Sequence, residues 1–166
     1  MTLILGIDPG LQHTGWGIII SKSNQLSFVD CGTIHSDASL SMAERLKQLH
    51  DGLAAAIAKH RPDEAAVEET FVNVSGSSTL KLGQARGAIL LALSLSGLKV
   101  YEYSANRVKK SVVGAGHADK KQVAMMVKML LPTSIAKQAD AADALAVAIT
   151  HAHHRTIHNL KAGART

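Results

Sequence analysis

Four of the 13 acidic residues stand where solvating charges are not usually placed. Asp8 closes the apolar run "LILGID", Glu68 closes "AAVE", and Asp140 and Asp143 sit within "DAADALAVAI". An unpaired carboxylate in such surroundings costs several kcal/mol, roughly, so each needs a partner. Asp140 and Asp143, three apart on a helix, share a face with Cβ atoms roughly 5–6 Å apart. If the strands ending in Asp8 and Glu68 are neighbours, their ends lie about 5 Å apart, and all four acids can converge at one edge of a sheet. Close carboxylates repel and need protons or cations to coexist. Hard divalent cations suit an all-oxygen set, Mg²⁺ first and Mn²⁺ second. Two such ions roughly 3.5–4 Å apart can activate a water and stabilise the leaving oxygen in phosphodiester cleavage.

Each acid has a plainer reading. Asp8 in "DPG" could simply start a turn. Glu68 or Glu69 could be a solvent-facing charge at a strand end. Asp140 could cap a helix with an acid three residues on, a variant of the capping box favoured by the helix dipole. Taken together, these would require four separate coincidences.

The elements that must position these acids follow from the hydrophobic pattern. Leu3–Asp8, Trp16–Ser21 and Leu26–Thr33 read as strands, joined by "PGLQHTG" and "KSNQ" as turns. Met42–His60 is an amphipathic helix, with Met42, Leu46, Leu49, Leu53 and Ile57 at spacings of three and four; Arg61-Pro62-Asp63 ends it. Ala65–Glu68 is a short strand leading into "FVNVSGSS". Thr79–Leu95 is a long helix with Ser78 as N-cap. Lys99–Tyr103 is the fifth strand, and Ser104 caps a helix reaching Val113. Helices over Asp119–Leu131, stopped by Pro132, and Ala139–His154 complete the order. Early hairpins and later strand–helix alternation imply one mixed five-stranded sheet with helices on both faces. The expected organisation is a single domain over residues 1–154, with a basic tail over 155–166.

The 166 residues suffice for one self-supporting core. With 46% hydrophobic and 19% charged residues the chain is globular rather than disordered. "AILLALSLSGL" is too short, and carries too many serines, to span a membrane. The N-terminal apolar run lacks the basic segment of a secretory signal, so the cytoplasm is the expected location. Cys31 is the only cysteine, which excludes an intrachain disulfide and a cysteine zinc cluster; its expected place is a small apolar position on a strand. Net charge +5 suits a polyanionic partner. A basic chain with an all-carboxylate site makes a nuclease the leading inference, with water rather than a side chain as nucleophile.

"GIDPGLQHTGWGI", "EETF", "LKLGQARG", "VKKSVVGAGHADKKQV" and "QADAADALAVAITHAH" resemble, in order and spacing, the RuvC family of Holliday-junction resolvases, nearly to His153. The resemblance implies a ribonuclease-H-like fold, a homodimer, and Mg²⁺-dependent nicking of two like-polarity strands at four-way junction DNA in recombination and repair. It implies the RuvA and RuvB branch-migration proteins as partners. By motif position Asp8, Glu68, Asp140 and Asp143 are the catalytic, metal-binding acids; Glu68 is chosen over Glu69 because the family's acid stands three before the phenylalanine, Phe71. Phe71 would engage unstacked bases, and Lys109 and Lys120 would contact junction phosphates. Their plainer readings are a core residue at a strand exit and a solvated helix face. Arg86 is a further phosphate-contact candidate, with an intrahelical or dimer salt bridge as its alternative. A Lys–Asn pair commonly follows the phenylalanine in the family; here Val74-Ser75 stand instead.

Rival readings remain at this level. An actin-like or Hsp70-like ATPase shares the "GIDPG…TG" hairpin but needs two large domains, about twice this chain. Another ribonuclease-H-like nuclease, cutting RNA–DNA hybrids or ribosomal RNA precursors, could use the same acids. A third is a non-enzymatic junction-binding protein. Gly83 and Gly87, four apart, would let a helix approach closely, either a second copy's or one within the chain. His154 and His158, also four apart beside His151 and His153, could chelate zinc or simply form a polar helix end favoured by the dipole.

Overall fold

The computed structural model describes residues 1–69, 76–136 and 138–163, with side chains through 155. Phe71 and the Val74-Ser75 departure lie outside these residues, as does the His158 side chain. Strands β1 (Thr2–Asp8), β2 (His13–Lys22), β3 (Gln25–His35), β4 (Glu64–Glu69) and β5 (Lys99–Ser104) form one sheet in the order β3-β2-β1-β4-β5. β1–β2–β3 is an antiparallel meander, while β4 and β5 run parallel to β1. The expected strands are all present. β2 is longer than the expected Trp16–Ser21, because its pairing with β1 persists to Asp8↔Gly15 and with β3 to His13↔His35.

Helix α1 (Met42–His60) starts at Ser41, which shares a complete capping box with Glu44, and stops at Arg61 in the left-handed conformation. α2 (Gly76–Leu95) begins before the expected Thr79, so Ser78 lies inside it rather than at its cap. α3 (Ala105–Val113) is capped by Ser104 as expected. α4 (Lys120–Leu130) uses Asp119 and Gln122 as a capping box. α5 (Ala139–Gly163) runs well beyond the expected end at His154.

The period-two alternation of β1 and β4 divides the core. Leu5, Ile7, Ala65 and Val67 face α1 and α2, packing with Leu53, Ile57, Ile89 and Leu93. Ile4 and Ala66 face α3, α4 and α5, packing with Val108, Val123, Leu145 and Ile149. By the same parity, Asp8 and Glu68 belong to the second face. No helix among the described residues is long and apolar enough to cross a membrane.

Candidate active site

The parallel β1–β4 ladder pairs Ile7 with Val67, so the next residue on each strand, Asp8 and Glu68, stands level at the strand ends. Both point to the face covered by α5. That helix brings Asp140 and Asp143 on its first two turns. The helix begins at Ala139, and the Ala142 amide bonds the Gln138 carbonyl. Asp140 is therefore inside the helix, not its cap, and the capping-box alternative does not hold. The turn after Asp8 is closed by Thr14, whose Oγ1 donates to the Gly10 carbonyl at 2.7 Å.

What lets α5 lie so low is glycine, the signal that reading "GIDPGLQHTGWG" for turns overlooked. A Cβ on Gly6 would come 2.1 Å from the Ala144 carbonyl oxygen, and one on Gly15 2.0 Å from that of Asp140. Gly6 and Gly17 are also register partners across β1 and β2. These bare positions form a seat for the backbone of α5 beside Asp8.

Asp8, Glu68 and Asp143 line one cleft of about 210 Å³, together with Lys109 from α3, Lys120 from α4, Ala105, Val108, Val123 and Ala146. Burial is the largest influence on Asp8, followed by the charges of Glu68 and Asp143; with Asp140 also contributing and Lys120 opposing, its carboxyl is pushed up to about 7. Burial and then Asp143 raise Glu68, against Lys120 and Lys109. Lys120 donates to Asp143 at 3.1 Å and is itself raised, chiefly by that bond. Asp140 reaches the group through its charge on Asp8 and Lys120 and is not among the residues lining the cleft.

Among the described residues, no three His, Cys, Asp or Glu side chains already stand as a metal-holding group. Asp8, Glu68 and Asp143 share a cleft, Asp140 joins them through its charge, and Lys109 and Lys120 are cations that face them. The donor chemistry nevertheless fits a divalent cation: all-carboxylate oxygens, with burial first and the charges of Glu68, Asp143 and Asp140 after it holding Asp8 well above the usual carboxylate range.

The remaining candidates lie elsewhere. Arg86 is not at the cleft; its guanidinium pairs with Glu102 of β5, which is level with Val67 and so on the α2 side of the sheet. The pairing joins helix to strand within one chain, neither of the salt bridges expected. Among the described residues, Gly83 and Gly87 have nothing within 4 Å of an added Cβ. His153 Nδ1 meets Ser111 Oγ at 3.2 Å, and the His154 ring stacks on Tyr103. Cys31 lies on β3, its thiol raised by burial and by Asp30, a poor nucleophile.

The sheet order and acid-lined cleft define a ribonuclease-H-like enzyme fold. A yeast mitochondrial Holliday junction resolvase shares this fold at TM-score 0.64 and 14% identity, over 93% of this chain and 83% of its own. The family model "Crossover junction endodeoxyribonuclease RuvC" matches residues 4–151. A protein of that description from Paramagnetospirillum magneticum is 65% identical over 152 residues, covering 92% of each chain. One from Rhodopseudomonas palustris (strain TIE-1) is 61% identical, over 92% of this chain and 87% of its own. The structure described as Thermus thermophilus RuvC in complex with Holliday junction substrate superposes with TM-score 0.87 at 32% identity, over 95% and 96% of the two chains. The chain belongs to the RuvC family of crossover junction endodeoxyribonucleases.

Proposed function

We propose that this chain resolves Holliday junctions in recombination and repair, hydrolysing one phosphodiester in each of two like-polarity strands at symmetric positions. The observation that carries the reading is the shared cleft of Asp8, Glu68 and Asp143 with Lys109 and Lys120 at its walls. Asp8, Glu68, Asp140 and Asp143 would hold Mg²⁺, with Mn²⁺ able to substitute. When bound, the cation supplies positive charge that activates water and neutralises the charge developing on the phosphate. Lys109 and Lys120 draw backbone phosphates toward the acids, a term that weakens as salt rises. Phe71 is assigned to unstacked bases at the crossover. Arg86, held by Glu102, is assigned to fastening α2 against β5 rather than to DNA.

A four-way junction has two-fold symmetry, so symmetric cutting needs two sites on a two-fold dimer. α2 is the proposed contact. Leu80, Leu91 and Leu95 are 65%, 56% and 71% exposed on it, and Gly83 and Gly87 leave room for a second backbone. The RuvA and RuvB proteins are the proposed partners, and the cytoplasm the proposed compartment.

The test is a labelled synthetic four-way junction, with and without Mg²⁺, beside linear duplex and RNA–DNA hybrid. Paired symmetric nicks confined to the junction are expected. Equal cutting of duplex or hybrid would replace this reading with a general nuclease.

A further inference from the structure

A buried polar chain runs along the α5 face of the sheet, away from the acids. His151 lies on α5 two turns beyond Asp143 and is 1% exposed. Its Nδ1 is 2.8 Å from the Tyr103 hydroxyl and its Nε2 2.9 Å from Glu64 Oε2. Arg155 Nε donates to the same Glu64 oxygen at 2.7 Å. The Tyr101 ring packs on the imidazole, centroids 4.3 Å apart.

Glu64 Oε2 accepts from Arg155 Nε and is also within hydrogen-bond reach of His151 Nε2, which donates to it when that nitrogen carries the hydrogen. In the neutral ring Nδ1 is then bare and accepts from the Tyr103 O–H. Burial pushes that phenol up to about 12, so it keeps its proton. With this tautomer both imidazole nitrogens, the Tyr103 hydroxyl and the Glu64 oxygen are hydrogen-bonded.

Tyr103 is the lateral neighbour of Glu68 in the β4–β5 register, on the face that holds the acids. The next residue, Ser104, caps α3, which carries Lys109. β5 is an edge strand with β4 as its single sheet neighbour. The Tyr103–His151 bond therefore ties the end of an edge strand, and the helix that follows it, to the helix bearing Asp140 and Asp143. We propose that His151 is a positioning residue for the acid cleft: as its Nε2–H tautomer, oriented by Glu64 and Arg155, it holds Tyr103 so that β5 and α3 keep Glu68 and Lys109 in register with α5. The role rests on the nuclease function proposed above.

Tyr103→Phe deletes the one hydroxyl and keeps the ring. Its single-turnover nicking of a labelled junction should fall about three- to tenfold with junction affinity unchanged. A control variant in the opposite core, Leu53→Val, matched for loss of Tm, should nick at the wild-type rate. Equal loss in the control, or wild-type nicking by Tyr103→Phe, overturns the proposal. On the DNA-free wild-type protein, ¹⁵N NMR of the histidines should show His151 as a neutral ring protonated at Nε2; a hydrogen on Nδ1 instead overturns it as well. A wild-type protein that cuts no junction would defeat the nuclease function and the positioning role, leaving the tautomer assignment standing.

Discussion

Replacing Asp8 by Asn should stabilise the metal-free protein while removing its activity. Asp8 is raised from 3.8 to about 7 in the folded state. A carboxyl whose folded pKa lies above its unfolded one binds its proton more tightly when folded. Its cost to stability is therefore absent below about pH 4, grows as the pH rises between the two values, and is complete above about pH 7. A shift of about 3 units corresponds to about 4 kcal/mol at pH 8. Relaxation around the acids, and the imperfect hydrogen bonding of an asparagine amide at that site, should reduce the observable gain to about 2 kcal/mol. In a chain of this size that raises Tm by about 4–8 °C. The assay is thermal unfolding of wild type and Asp8→Asn at pH 8 and pH 4.5, with chelator and with Mg²⁺. Asp8→Asn should melt higher at pH 8 in chelator and nearly level with wild type at pH 4.5. Mg²⁺ should raise the wild type and move the variant less. An Asn variant that melts at or below wild type at pH 8 in chelator would refute the claim that burial, together with the neighbouring carboxylates, makes the ionised Asp8 costly.

Gly6→Ala should destabilise by about 2–3 kcal/mol or more and abolish nicking, since its methyl would meet the α5 backbone at Ala144 and Ala148; urea titration and a junction assay read both. Lys109→Ala and Lys120→Ala should each weaken junction binding across sequences and lower the salt slope by about 1, whereas Arg86→Ala should leave that slope unchanged; filter binding across a salt series distinguishes them. Leu91→Glu should shift sedimentation from dimer toward monomer, and an unchanged dimer would place the contact away from α2.

The apolar runs of β1 and β4 made much of the site legible. Asp8 and Glu68 each close an apolar strand, so the sequence places both at strand ends; that they share a face follows from the β1–β4 register. The three-residue spacing of Asp140 and Asp143 likewise placed them on one helix face. What sequence alone concealed was depth. Gly15 reads in sequence as the end of a turn, and nothing local marks Gly6 or Gly17, because a close approach is a property of two segments together; all three lie under α5. Local cap signals also misled: Ser78, read as the N-cap of α2, lies inside a helix that already runs from Gly76, and Asp140 mimics a cap though α5 begins at Ala139. Arg86 looked free to meet DNA because Glu102 lies 16 residues away. The network of Tyr103, His151, Glu64 and Arg155 spans up to 91 residues, beyond any local pattern.

The central claim is that the four carboxylates act together on a phosphodiester while the lysines supply affinity. It is tested most directly by measuring, on one synthetic four-way junction with Mg²⁺, both binding and single-turnover nicking for Asp8→Asn, Glu68→Gln, Asp140→Asn and Asp143→Asn. Each variant should bind the junction about as tightly as wild type and lose nicking by at least a hundredfold, roughly. Undiminished cutting by any one of them would contradict the assignment of that acid, and undiminished cutting by Asp8→Asn would contradict the site itself.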